Sequence, residues 1–215
     1  MNLKKRLLRK QKLYLIVDIT SRSRPSIAKL KPLIKETADI VQLRGKEISD
    51  KLFLDYAIGF SKICKEHKIT FIVNDRPDIA LCAGADGVHL GQDDIAPSAA
   101  REILGKDKII GLSTHSISQI KKSENIKEID YIGIGPIFKT STKPKARPLG
   151  LGIIKKISKT RKKLLYFAIG GIDTYNIHSL LEAGARRIAV ISCVFNSKNP
   201  LATAKTLKKI LYDTD

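Results

Sequence analysis

Short apolar runs recur along the chain, each followed by a polar or glycine-bearing turn and then by a stretch with helical spacing. The runs predict strands over Leu13 to Asp18, Asp39 to Leu43, Thr70 to Asn74, Gly87 to Leu90, Ile109 to Leu112, Tyr131 to Gly135, Leu165 to Ile169 and Arg187 to Ile191. Amphipathic spacing predicts helices over Asp50 to His67, Pro97 to Leu104, Ser116 to Ser123, Thr174 to Ala183 and Leu201 to Tyr212. Near-continuous apolar strands such as FIVN, YIGIG and IAVIS suit a parallel sheet buried on both faces. Alternation with helices gives parallel order and right-handed crossovers, and at eight units closure into a single α/β (β/α)8 TIM barrel. An open doubly wound sheet is the rival, but no G-x-G-x-x-G follows the first strand and the number of units is high for it.

Length adds that 215 residues, 43% hydrophobic, fit one domain over residues 1–215. Residues 1–12 are read as a basic N-terminal extension. Residues 135–150, GPIFKTSTKPKARPLG, are too rich in Pro, Ser, Thr and Lys for a regular element and are predicted to form an active-site loop. No apolar run approaches the roughly 18 residues that cross a bilayer, so a soluble, cytoplasmic protein without a membrane partner is expected. The opening MNLKKRLLRKQKLYLIVD is basic and then apolar, but Asp18 interrupts it and no small-residue cleavage site follows; no signal peptide is expected. Cys64, Cys82 and Cys193 form no C-x-x-C pair and read as buried thiols in a reducing compartment.

The net charge of +19 favours an anionic partner: nucleic acid, lipid or a phosphorylated metabolite. Lysines are spread over helix faces and both termini, and the few aromatics do not interleave with them as base-stacking platforms would. Phosphorylated small molecules are therefore the expected partners, nucleic acid is not, and a homo-oligomer is left open.

Polar residues that follow barrel strands converge on one mouth. After the second strand, Gln42 and Arg44 share a side by alternation and Lys46 follows on the loop; an amide and two cations can hold a diphosphate, although a surface basic cluster would read the same. The third and fourth strands end in Asn74-Asp75 and His89-Leu90-Gly91-Gln92-Asp93-Asp94. Carboxylates on neighbouring loops facing a diphosphate make a Mg²⁺ site; equally, Asp75 before Pro77 and Asp94 before Pro97 could cap helices. The fifth strand ends in Ser113-Thr114-His115-Ser116, where Ser116 could cap a helix and His115 could act as an acid or base or simply bond to backbone. His89 reads as packed or orienting, and His67 and His178 as surface. Thr140-Ser141-Thr142-Lys143 suits a phosphate, as it would suit a charged loop tip. Gly170-Gly171 after the seventh strand and Ile191-Ser192 after the eighth lie where barrels bind phosphate.

Taken in order, VQLRGK, IVNDRPDIA, ADGVHLGQDD, GLSTHS, DYIGIGPIFKTSTKP, PLGLGIIKKI, AIGGI and VIS resemble thiamine phosphate synthases, from Leu13 to about Leu201. The resemblance implies a Mg²⁺-dependent transfer that joins an aminopyrimidine methyl diphosphate to a thiazole ethyl phosphate, or its carboxylated form, and expels diphosphate. It implies that Gln42, Arg44, Lys46, Asn74, Ser113 and Lys143 contact the pyrimidine diphosphate, with Arg44, Lys46, Ser113 and Lys143 as the catalytic set. Asp75 and Asp94 would hold the metal. Thr140, Ser141, Thr142, Gly171, Ile191 and Ser192 would hold the thiazole phosphate. The chain departs from the family at Gly45, where an acidic residue more often stands between Arg and Lys. Two other readings compete: a thiazole tautomerase-like relative using His115, and a non-catalytic basic binding protein on a barrel scaffold. The first needs no metal, so Asn74-Asp75, Asp94 and the Thr140 to Lys143 loop favour the synthase.

Overall fold

The computed structural model describes residues 3–21, 23–142, 144–160 and 164–213. Its elements run α1 (Leu3–Leu8), β1 (Leu13–Ile19), α2 (Ile27–Thr37), β2 (Ile40–Gly45), α3 (Asp50–Glu66), β3 (Thr70–Asn74), α4 (Pro77–Cys82), β4 (Gly87–Leu90) and α5 (Pro97–Leu104). They continue with β5 (Ile109–Thr114), α6 (Ile117–Ser123), β6 (Tyr131–Ile134), α7 (Leu151–Ser158), β7 (Tyr166–Ile169), α8 (Ile177–Glu182), β8 (Ile188–Val190), α9 (Ser192–Phe195) and α10 (Pro200–Asp213). The strands form a closed barrel in sequence order, with every pairing parallel and β8 returning to β1. The predicted (β/α)8 barrel is thus the observed fold.

Alternation along the strands separates two cores. One set, including Leu15, Leu43, Val73, Val88 and Ile132, packs outward against the helices. The other set fills the lumen with Tyr14, Ile16, Ile40, Ile72, Ile109, Tyr131, Phe167 and Ala189. Leu8 of α1 joins this lumen set at 1% exposure, so the basic N-terminal segment contributes a side chain to the barrel floor.

Hydrogen bonds lock the same end. The Asp39 carboxylate accepts from the backbone N–H groups of Lys12 and Leu13, both at 2.9 Å, and from the Tyr212 hydroxyl at 2.8 Å. Buried Lys12 donates to the Leu211 carbonyl at 2.9 Å, tying α10 to the start of β1.

Two smaller expectations are corrected. Only Cys64 is fully buried; Cys193 is half-buried and Cys82, at the last position of the short helix α4, is exposed. His67 is not a surface residue: it follows α3 as its C-cap, and its side chain is 16% exposed.

Leu8→Ala removes a buried side chain whose space the rigid lumen cannot refill, and should cost about 2–4 kcal/mol. Denaturant unfolding monitored by circular dichroism checks this; a loss under about 0.5 kcal/mol, the range of surface substitutions, would show that Leu8 does not seal the floor.

Candidate active site

The lumen changes character along the strands. On β2 the inward side chains run Ile40, Gln42, Arg44; on β3, Ile72, then Asn74; on β5, Ile109, Gly111, Ser113. An apolar floor therefore gives way to polar and then charged groups at the carboxyl ends, where a cavity opens. Its lining brings together Gln42, Arg44, Asn74 and Ser113 from one half of the barrel. Thr140, Thr142, Gly171, Ile191 and Ser192 come from the other half. Ser141 is exposed and lines an adjoining outer cavity that shares Thr140, Gly171 and Ser192 with the first. Lys46, Asp75 and Asp94 stand at the rim rather than in the lining. Lys143 lies outside the described residues.

Arg44 has a partner that the sequence pattern did not single out. Its Nη1 lies 2.7 Å from both carboxylate oxygens of Asp18, the residue opposite it in the β1–β2 register. Both side chains are mostly shielded, at 19% and 22% exposure, so this pair is less screened than a surface ion pair. The available signal was parity: Asp18 ends its apolar run on the side from which Arg44 ends the next.

Asp75 and Asp94 meet at the rim, as the adjacent strand ends require. Neither caps a helix, because α4 begins behind Arg76 and α5 behind Ala96. Asp75 instead occupies a left-handed turn, φ 63°, pinned by its N–H bond to the His89 carbonyl at 2.8 Å. Asp94 accepts the Gly91 N–H at 2.6 Å. Burial, followed by the hydrogen bond and the charge of Asp94, pushes the Asp75 carboxyl up to about 6, against the opposing pull of Lys46 and Arg44. Lys46 Nζ is 4.0 Å from Asp75 Oδ2. Among the described residues no three metal-ligating side chains converge. Two carboxylates forced together suit a hard divalent cation that takes its remaining ligands from phosphate oxygens and water.

In the other half, Gly171 has φ 65°, and a Cβ there would lie on the Lys139 carbonyl and 2.9 Å from Phe138 Cβ. Only glycine lets the loop after β6 lie this close to the turn after β7. That loop is tied at its base by Leu149 N–H to the Pro136 carbonyl and Gly150 N–H to the Ile137 carbonyl. His115 holds the Gly135 carbonyl through Nδ1 at 2.6 Å, the backbone-bonded role weighed for it above, and Ser116 caps α6 by accepting from Gln119 N–H. Gly45 packs closely as well: a Cβ would meet Ile48 Cδ1 at 2.7 Å and Phe53 Cδ2 at 2.8 Å, so an acidic residue there would require those side chains to shift.

Comparison with known proteins agrees with the order of these motifs on the barrel. The family described as thiamine monophosphate synthase matches residues 13–194. The chain belongs to that family. A protein of Prochlorococcus marinus named thiamine-phosphate synthase is 46% identical over 173 residues, covering 80% of this chain and 48% of the relative. Another so named, from Persephonella marina, is 44% identical over 174 residues, with 81% and 82% covered. The chain spans about half the length of several curated relatives it matches, including the first of these two. Among solved structures, a thiamine phosphate pyrophosphorylase from Pyrococcus furiosus superposes with a TM-score of 0.84 at 32% identity, covering 97% of this chain and 98% of that one.

The raised Asp75 carboxyl has a consequence for stability in the absence of metal. The folded protein holds this proton more tightly than the unfolded chain, so stability falls as pH rises from about 4 towards 6 and the deficit persists above that. Asp75→Asn keeps a residue tolerant of positive φ and abolishes the deficit. It should raise the metal-free melting temperature at pH 7.5 by about 2–6 °C, a gap that closes as pH is lowered through 6 towards 4. Calorimetry in EDTA measures it; a lower melting temperature for the variant at pH 7.5 would contradict the carboxylate repulsion.

Proposed function

We propose that this chain is a thiamine phosphate synthase, which breaks the bond between an aminopyrimidine methylene carbon and diphosphate. A new bond then forms from that carbon to the nitrogen of a thiazole ethyl phosphate, or of its carboxylated form. The observation that carries the reading is the division of one cavity into two polar halves. Gln42, Arg44, Asn74 and Ser113 lie on the side of the paired carboxylates, and Thr140, Gly171, Ile191 and Ser192 lie opposite. Family membership supports the same chemistry.

The residues perform the transfer mainly by placing charge. Arg44, Lys46 and Lys143 would take up charge developing on the departing diphosphate, and Ser113 and Asn74 would hydrogen-bond its oxygens. Mg²⁺ held by Asp75 and Asp94 would neutralise the diphosphate further and so ease its departure. An amino-substituted pyrimidine stabilises a cationic methylene, so no protein nucleophile is needed. Tyr14, Ile16 and Phe167 line the cavity and would help to keep water from that cation. Thr140, Ser141, Thr142, Gly171, Ile191 and Ser192 would hold the thiazole by its phosphate, leaving the ring nitrogen to reach the carbon. Orientation of this kind replaces a bimolecular encounter.

The test mixes the purified chain with both phosphorylated precursors, with and without Mg²⁺, and assays thiamine phosphate by chromatography. Product that depends on Mg²⁺ is expected; no product under either condition would sink the reading. Asp94→Ala should lower turnover by at least about a hundredfold, the scale of losing one key electrostatic contact in the transition state. Turnover within about threefold of the parent chain would remove the metal role assigned to Asp94.

A further inference from the structure

Five polar side chains on five different strands are joined across the middle of the lumen, beneath the cavity mouth. Gln42 Nε2 donates to the Tyr14 hydroxyl at 2.7 Å, and Tyr14 lies 2.9 Å from the Tyr131 hydroxyl, 117 residues away in sequence. Tyr131 is 3.0 Å from His89 Nδ1, and His89 Nε2 is 2.9 Å from Ser113 Oγ. Gln42, Tyr14, Tyr131 and His89 are all buried, and all five line the cavity.

We propose that these residues form a one-way hydrogen-bond relay that fixes His89 as its Nε2–H tautomer and turns the Ser113 hydroxyl hydrogen into the cavity. Proton counting gives the direction. Each phenol has one hydrogen to donate. Tyr14 accepts from Gln42, so its own hydrogen goes to Tyr131, and the Tyr131 hydrogen goes to His89 Nδ1. An imidazole that accepts at Nδ1 carries its hydrogen on Nε2 and donates it to Ser113 Oγ. Ser113 accepts from inside the wall and is left to donate outward. Burial pushes both phenols well above their ordinary range, so neither gives up its hydrogen to solvent.

The chain is built as a unit. The Tyr14 and Tyr131 rings both pack edge-on against Phe167, with centroids 5.2 and 5.5 Å away. Strand β5 leaves the space open at Gly111, where a Cβ would overlap the Tyr131 ring and lie 2.5 Å from His89 Nδ1. The opposite polarity would require the Gln42 amide to turn over, which would reverse every bond and leave Ser113 as an acceptor. The choice between the two rests on the synthase reading. A diphosphate oxygen needs a donor at Ser113, and an exocyclic amine on the pyrimidine needs the Gln42 carbonyl as acceptor. The forward relay supplies both. Tyr14, Tyr131 and His89 are thereby positioning residues that act through Ser113 and Gln42.

The test needs no turnover in its first arm. In the ¹⁵N-histidine-labelled full chain, which has four histidines, two-bond proton–nitrogen spectra report the tautomer of each ring, and His89→Asn assigns the signal. A single Nε2–H tautomer for His89 is expected; Nδ1–H, or a mixture, overturns the relay. In Tyr131→Phe, which keeps the ring and removes the link, the tautomer should become mixed; a ring still wholly Nε2–H overturns the claim that Tyr131 imposes it. Should that variant not fold, Tyr14→Phe carries the same measurement. In the second arm, Tyr131→Phe should lower kcat about tenfold while leaving KM for the thiazole phosphate unchanged. Adding it to Ser113→Ala should cost nothing further, because both changes remove the same oriented hydroxyl; additive losses contradict the relay. A chain with no synthase activity would fail the second arm alone, leaving the tautomer to decide the relay.

Discussion

The parallel ladder that closes β1 onto β8 is the constraint on which the cavity depends. Leu13, Tyr14 and Leu15 pair with Ile188, Ala189 and Val190, and this contact turns a twisted sheet into a ring. Because side chains alternate, register decides which residues the ring turns inward; a one-residue slip of β2 would send Gln42 and Arg44 out into the helix layer. Closure is secured at the end remote from the cavity, where Asp39 gathers Lys12, Leu13 and Tyr212 and Leu8 fills the floor. Stability and chemistry thus occupy opposite ends of the same strands, and each can vary without unsettling the other.

Polarity then rises in layers. The lowest inward positions are apolar, the middle ones form the uncharged chain of Gln42, Tyr14, Tyr131 and His89, and charge first appears with Asp18 and Arg44 at the strand ends. An uncharged middle layer costs less to bury than ions would, because each group finds a partner there. At the rim the balance shifts. Asp75 and Asp94 repel, Lys46 and Arg44 only partly relieve them, and the protein holds the strain in a tight turn at Asp75. A cation arriving with an anionic substrate, as proposed, would relieve the repulsion and so couple stability to the state in which the proposed chemistry would proceed.

The barrel was legible because its strands are apolar runs of the right length, and all eight predicted starts agree with the structure to within one residue of those observed. The errors lie where polar residues take part in regular structure. β5 continues to Thr114 because Ser113 and Thr114 pair with Gly133 and Ile134 of β6, which periodicity cannot show. α8 starts at Ile177 rather than Thr174, because Asp173 accepts from the N–H groups of Tyr175 and Asn176 and holds those residues in a turn. That Gln42, Arg44, Asn74 and Ser113 line the cavity was readable from strand ends; that Tyr14, Ile16 and Phe167 join them was not. The Tyr14 to Tyr131 link was not: a tyrosine inside an apolar run reads as packing, and its hydroxyl partner is set only by closure. Asp18 was noticed as an interruption, and its pairing with Arg44 required the register.

On the proposed reading one barrel mouth holds two separate anion stations, one for a leaving diphosphate and one for a phosphate that stays. Calorimetric titration of the metal-loaded chain with inorganic diphosphate, repeated in the presence of saturating thiazole ethyl phosphate, tests it most directly. Two stations predict that both ligands bind at once, that Arg44→Ala weakens only the diphosphate and that Gly171→Ala weakens only the thiazole phosphate. Mutual exclusion of the two ligands, or equal loss of both in either variant, would contradict it.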